Sequence, residues 1–261
     1  MPGTVVYNGD ANNDPATSPC NAPNESATIG LASPTISTQA SPGGPIGTAV
    51  TDTATVSGGF SPTGTVTFRL FADSGCSSQV FTSTNALSGS TATSGSFTPT
   101  APGTYYWTAV YNGDASNNQA TSPCQAPNES VTITKASPTI STQASPGGLL
   151  GAPVRDVATL AGGQNPAGTV TFRLFSDGAC TSQVFTSTNA LAGTTATSDW
   201  FTPTAPGTYF WTAVYGGDAN NNPATSPCQA PNESVTITPF APPAPTRTLT
   251  GDVLGLSLIH I

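Results

Sequence analysis

The sequence predicts an all-β chain of tandem Greek-key β-sandwiches, and three observations carry that expectation. The chain is one module copied: residues 32–135 lie over 136–239 without a gap, a period of 104 residues, with roughly three quarters of positions identical. Each copy reads as about seven short β segments parted by Gly, Pro, Asn and Ser turns, a strand density typical of sandwiches. Helical periodicity is almost absent, while β-branched residues abound. Near-identity of this kind points to recent duplication, so sameness between copies is not by itself a sign of function.

Residues 1–31 match the last quarter of a module, with YNGDANNDPATSPCNAPNESATI lying over the YNGDASNNQATSPCQAPNESVTI of 111–133. They are expected to be the truncated C-terminal part of a repeat, since a strand pair without its sheet does not fold alone. Met1 is accordingly expected to be an arbitrary start within a longer gene. In the first full module the expected strands are 35–39, 49–57, 65–71, 79–84, 91–97, 104–111 and 130–134. In the sixth of these Tyr105, Trp107, Ala109 and Tyr111 alternate with Tyr106, Thr108 and Val110, so the larger set shares an inner face. Their opposite neighbours are expected from GTVTFRLF at 64–71, where Val66, Phe68 and Leu70 point in and Arg69 points out. The second copy repeats the pattern with Tyr209, Trp211 and Tyr215 against Val170, Phe172 and Leu174, with Arg173 outward.

Between the modules 134–138 leaves only a few residues, stiffened by Pro138, so neighbouring modules are expected end to end. Residues 240–261 are expected to be a proline-rich linker and a non-native tail. The run PFAPPAPT after Thr238 suits a polyproline spacer. The closing LSLIHI resembles the translation of a transposon-end sequencing adapter, CTG TCT CTT ATA CAC ATC. A natural hydrophobic end of a truncated segment is the other reading.

Only 7% of the 261 residues are charged, and the formal net charge is −8. Phosphate backbones would be repelled, so nucleic acid is not an expected partner. No run approaches the roughly 20 apolar residues of a membrane helix.

PGTYYWTAVYNGD at 102–114 following GTVTFRLF, and again PGTYFWTAVYGGD at 206–218, resembles the tandem bacterial immunoglobulin-like repeats of secreted and cell-surface proteins. That resemblance implies an immunoglobulin-like sandwich used as spacer, stalk or adhesin module, with no shared active site and no cofactor. Partners, on this reading, are cell-wall or host-surface glycans or proteins, met by monomeric modules within a longer chain.

Each full module owns two cysteines 48 positions apart, Cys76 with Cys124 and Cys180 with Cys228, while Cys20 is left over. Pairing within modules would close long loops, worth about 4 kcal/mol each in the chain-entropy model, and belongs outside a reducing cytosol. Against it, the turn after the third strand and the loop after the sixth lie at opposite ends of an ordinary immunoglobulin order, so 112–128 would have to fold back. A Cys76–Cys228 link between modules is the alternative. No CxxC pair suggests zinc, and the sole histidine is His260.

Catalysis lacks a tunable base in the modules. Asp52, Asp73, Asp114 and Glu129 recur as Asp156, Asp177, Asp218 and Glu233. Two of them could meet as a glycosidase pair, but solvated turn acids are the expectation. The loops at 112–118, 216–222 and 8–14 carry oxygen donors that calcium could use, yet Asn, Gly and Asp are also what a tight turn needs. Asn24, Asn128 and Asn232 begin Asn-Glu-Ser triplets, expected to be turns rather than glycosylation sites. Trp200 replaces Ser96, and Gln164 replaces Phe60, so both positions are expected at the surface, where a single indole could stack on a sugar. The expected role is a non-catalytic extracellular spacer or stalk, with a glycan- or protein-binding adhesion module as the alternative.

Overall fold

The computed structural model describes residues 3–20, 22–24 and 26–240. Expectations for 241–261, with Arg247, His260 and LSLIHI, lie outside the described residues, as do those for Met1 and for Glu25 of the first Asn-Glu-Ser triplet. The regular structure described is all strand. An N-terminal ribbon pairs β1 (Val6–Tyr7) with β2 (Ala16–Thr17). The first sandwich then runs β3 (Thr35–Ala40), β4 (Gly44–Pro45), β5 (Asp52–Ser57), β6 (Thr65–Phe71), β7 (Gln79–Ala86), β8 (Thr91–Thr93), β9 (Gly103–Tyr111), β10 (Ala120–Ser122) and β11 (Ser130–Thr134). One sheet has the order β3-β5-β8 and the other β4-β11-β9-β6-β7, with β10 also beside β9.

This order is that of an immunoglobulin-like Greek-key sandwich: the first, third and sixth strands of the unit, β3, β5 and β8, face a sheet made of the rest. A second mark of the fold is local. The hydroxyl of Tyr105, early in β9, donates to the carbonyl of Ala101 at 2.8 Å, the tyrosine corner that pins the crossing from one sheet to the other. The second unit repeats the order through β12 (Thr139–Ala144), β13 (Gly148–Leu149), β14 (Asp156–Ala161), β15 (Thr169–Phe175), β16 (Gln183–Ala190), β17 (Thr195–Thr197), β18 (Gly207–Tyr215), β19 (Ala224–Ser226) and β20 (Ser234–Thr238). Its corner joins Tyr209 to Ala205. The two compact units part between Ala136 and Ser137; Ala219–Asn221 group with the first because Ala136 bridges Asn221.

Tyr105, Trp107, Ala109 and Tyr111 of β9 are buried together with Val66, Phe68 and Leu70 of β6. These two sets lie side by side in one sheet, Leu70 beside Trp107 and Phe68 beside Ala109, and not across the sandwich as the sequence suggested. The facing wall comes from Ala40, Ala54, Val56 and Ala92. Small residues there leave room for the rings. Phe81 packs edge-on against Trp107, with centroids 6.0 Å apart. In the second unit Phe172, Tyr209, Trp211 and Tyr215 are buried in the same way.

Three strands run one or two residues past the alternation, β3 to Ala40, β7 to Ala86 and β9 back to Gly103, while two are cut short. The segments at 49–57 and 91–97 shorten to β5 and β8 because the Ser94 hydroxyl takes the amide of Asp52, 2.9 Å away, in place of a carbonyl. Val50 and Phe97 then meet in an isolated bridge. Two strands, β4 and β10, are additional, too short to show a period. The chain reaches β4 by crossing between sheets at Pro42 and Gly43, where the backbone presses on β11.

At Gly147, the counterpart of Gly43, an added Cβ would fall on the Thr236 carbonyl oxygen, whereas at Gly216 it would meet nothing within 4 Å. Gly147→Ala is expected to destabilise the second unit by about 1–3 kcal/mol, and Gly216→Ala to stay within about 0.5 kcal/mol of the parent, by urea denaturation. Equal losses would contradict this account of the sheet crossing.

Candidate functional site: a buried carboxyl pair in each unit

Asp52 opens β5 in phase with Ala54 and Val56, and Glu129 precedes β11 in phase with Val131 and Ile133. Period two therefore turns both carboxyls inward. Both are fully buried, as are Asp156 and Glu233. The expectation of solvated turn acids is wrong for these four. Strand phase overrides charge, because the segments carrying them are anchored by their apolar neighbours.

Polar company is sparse. Glu129 Oε1 accepts from the Ser122 hydroxyl at 3.3 Å, and Ser122 is bonded to Thr38 at 3.1 Å. Glu129 Oε2, both carboxyl oxygens of Asp52 and the indole nitrogen of Trp107 have no hydrogen-bond partner. In the second unit Glu233 is bonded to Ser226, and Ser226 to Thr142; Asp156 Oδ1 accepts from the Val157 amide at 3.0 Å, leaving Asp156 Oδ2 and Glu233 Oε2 orphaned. Burial pushes Asp52 up to about 6; the amides of Thr53 and Gln39 come near enough to oppose the rise in part but do not reach hydrogen-bond geometry. Burial, then the neighbouring Asp52 charge, pushes Glu129 up to about 8. Asp156 rises to about 7 and Glu233 to about 8, again chiefly through burial. Two buried acids that feel each other's charge cannot both ionise cheaply. The pair can hold a proton at neutral pH, but full burial leaves it no opening to a substrate.

The other acids are turn residues. Asp114 accepts from the Thr63 amide and hydroxyl, the Ser116 amide, the Asn117 side chain and the Tyr111 hydroxyl, at 2.7–3.0 Å. Those donors hold its carboxyl far below the usual range. Oxygens so occupied tie two loops together and are not arranged to take a cation. Asp10 keeps part of the set, from Tyr7, Asn12 and Asn13, and falls to about 2. Asp73 accepts from Gly75, Ser77 and Ser78, and Asp177 from Ala179, Thr181 and Ser182, which shapes the turn carrying each first cysteine. Among the described residues no three His, Cys, Asp or Glu gather as a metal site. Asn128 and Asn232, with Asn24, adopt left-handed backbones at φ 65°, 66° and 69°, as turn residues do.

Cys76 is bonded to Cys124 and Cys180 to Cys228; Cys20 is free and exposed. The Cys76–Cys228 alternative is not formed. The geometrical objection dissolves in β10, which doubles back so that Ala120–Ser122 run antiparallel against Ala109–Tyr111. Residues 123–129 then leave the sheet level with Tyr106, where Phe71 also ends β6. The β6–β7 turn and the returning loop thus meet, and Gln125 adds a bond to the Ser74 carbonyl at 2.6 Å.

No protein-family model and no curated protein matches the chain. Among solved structures it is similar to two of a marsupial T cell receptor, at 12% and 13% identity, covering 80% of this chain and 75% and 74% of those, each with a TM-score of 0.30. The immunoglobulin-like assignment rests on the strand order and the tyrosine corners. Disulfides inside such sandwiches are typical of extracellular domains. No described helix is long and apolar enough to cross a membrane.

Both carboxyls titrate higher in the folded unit than in the unfolded chain, where their values are about 4. From about pH 4 to pH 8 the folded state therefore binds protons that the unfolded state has released, and stability falls as pH rises, by about 1.4 kcal/mol per pH unit for each such proton. Below that window the hydrogen-bonded Asp73 and Asp114 act in the opposite sense. Urea melts should show this decline, and the Glu129→Gln/Glu233→Gln chain, which has no carboxyl to ionise at those positions, should melt higher than the parent at pH 8.5 and converge with it near pH 4.5. Stability that is flat or rising across the window would refute the retained-proton account.

Proposed function

We propose that this chain is a non-catalytic structural repeat segment, a spacer or stalk of a bacterial secreted or cell-surface protein, of the kind used to carry an adhesin. One observation carries the reading: in each unit the groups able to do chemistry are committed to the fold. The inner aromatic rows fill the core, the acids other than Asp199 are buried or held by turn donors, and the cysteines are bridged. The 104-residue repeat of residues 32–135 and 136–239, with residues 1–31 matching the last quarter of the same module, suits a part multiplied for length. A low charge and internal crosslinks suit an exposed setting outside the cell. A second reading, adhesion through a binding surface, is favoured by one feature of the second unit taken up below.

A spacer is expected to yield under force one unit at a time. Single-molecule pulling of the full chain should give two unfolding events of like size, each lengthening by roughly 170 Å after reduction, because each bridge withholds a segment of 48 residues at about 3.5 Å apiece. One event spanning both units, or no gain on reduction, would sink the proposal.

A further inference from the structure

Each unit carries a groove where its first strand changes sheets, about 750 Å³ in the first and about 740 Å³ in the second. The second is lined by Gln143, Ser145, Asn232, Ser234 and Thr236, amides and hydroxyls. The acids Asp156 and Glu233 alternate with these lining residues and turn into the core, so no carboxylate lines the groove. The first groove is built from the equivalent residues.

The rims differ. Arg155 stands where the first unit has Thr51, and Trp200 where it has Ser96. These are the one arginine and the one tryptophan that the second copy has gained, and they land on each other: the guanidinium lies over the indole, 4.4 Å from its centroid. Independent drift gives no reason for two such gains to coincide. Trp200 remains 55% exposed, so the arginine does not bury the ring. Asp199 beside it is bonded to Asn189 at 3.3 Å, and no ion pair to Arg155 is seen among the described residues.

We propose that the groove of the second unit binds a carboxylate-bearing sugar chain, an oligouronate in chemical class. The apolar face of a pyranose stacks on Trp200, its carboxylate takes the planar fork of Arg155, and its hydroxyls meet the amides and hydroxyls of the lining. In a chain of net charge −8, a cation with no ion pair among the described residues, over a groove lined by neutral amides and hydroxyls, is a local attraction for an anion. The first unit has the groove without the rim and does not bind. The proposal stands apart from the spacer reading, since a stalk unit can carry such a site or lack it.

The test is a titration of the full chain with trigalacturonate, followed by tryptophan fluorescence and calorimetry. Trp107 and Trp211 are fully buried, so Trp200 is the reporter. A saturable change with one ligand per chain is expected, weakened by salt, and about tenfold or more weaker for neutral maltotriose. It should vanish in Arg155→Thr/Trp200→Ser, which restores the residues of the first unit and so preserves the fold. Adding Thr51→Arg and Ser96→Trp to the parent should raise the stoichiometry to two. No saturable response up to about 10 mM, equal affinity for the neutral sugar, or calorimetric binding unaltered by the reversion would overturn the proposal.

Discussion

Burial of the inner row of β9 is the constraint on which the rest of each unit depends. Trp107 and Tyr111 have no exposed surface, and the three-stranded sheet opposite presents mostly alanine and valine because the rings already fill the space. The same sequence without that sheet behaves otherwise. Tyr7 in the N-terminal ribbon is the counterpart of Tyr111, makes the same bond to its turn aspartate, and is 45% exposed. Local turn chemistry is thus intrinsic to Tyr-Asn-Gly-Asp, whereas burial of the ring is supplied by β6 and by the facing sheet.

The carboxyl pair sits where this packing is weakest. The first strand leaves β5 at Ala40 and rejoins the other sheet at Gly44, so it does not seal the interior as a continuous strand would. Asp52 and Glu129 occupy the gap with Ser122 and Thr38, in a chain that exposes few other charges. An unpaired buried polar atom costs about 1–3 kcal/mol, so three orphan carboxyl oxygens in the first unit are a real cost unless a proton is retained. Protonation turns one carboxyl into a donor and removes the like-charge repulsion together. The same sheet change that buries the acids opens the groove outside them, which is why residues flanking Asp156 and Glu233 line it.

How much of this was legible varied with the kind of signal. Alternation alone places the aromatic row, the strand Thr65–Phe71 and the sandwich count, since large side chains at period two admit one inner face. The partner strand was assigned to the wrong relation because period two says which residues point in and nothing about whether two inward sets are beside or opposite one another. Asp52 and Glu129 are legible in principle, being in phase with Ala54 and Val131, but their charge argues for solvent and only the fold shows that phase prevails. The disulfides were within reach except for β10, three residues without a period whose return along β9 brings the cysteines level. Gly44–Pro45 offers no pattern at all; only the clash at Gly43 marks where the backbone crosses.

Differences between the copies separate what the fold requires from what it tolerates. Thr63 gives Asp114 an amide and a hydroxyl; its counterpart Ala167 keeps only the amide, at 2.8 Å from Asp218, and the turn survives. The backbone donor is therefore the part that ties the loops. Tyr106 becomes Phe210, whose ring lies under the crosslinked turn 3.5 Å from the Cβ position of Gly178, so the apolar ring is kept and the hydroxyl is dispensable. Both are subtractions that leave packing intact. The exchange of Thr51 and Ser96 for Arg155 and Trp200 runs the other way, adding a long cation and a large ring to an exposed rim that the first unit shows to fold without them. Stability does not demand that addition, which is why it points outward to a ligand.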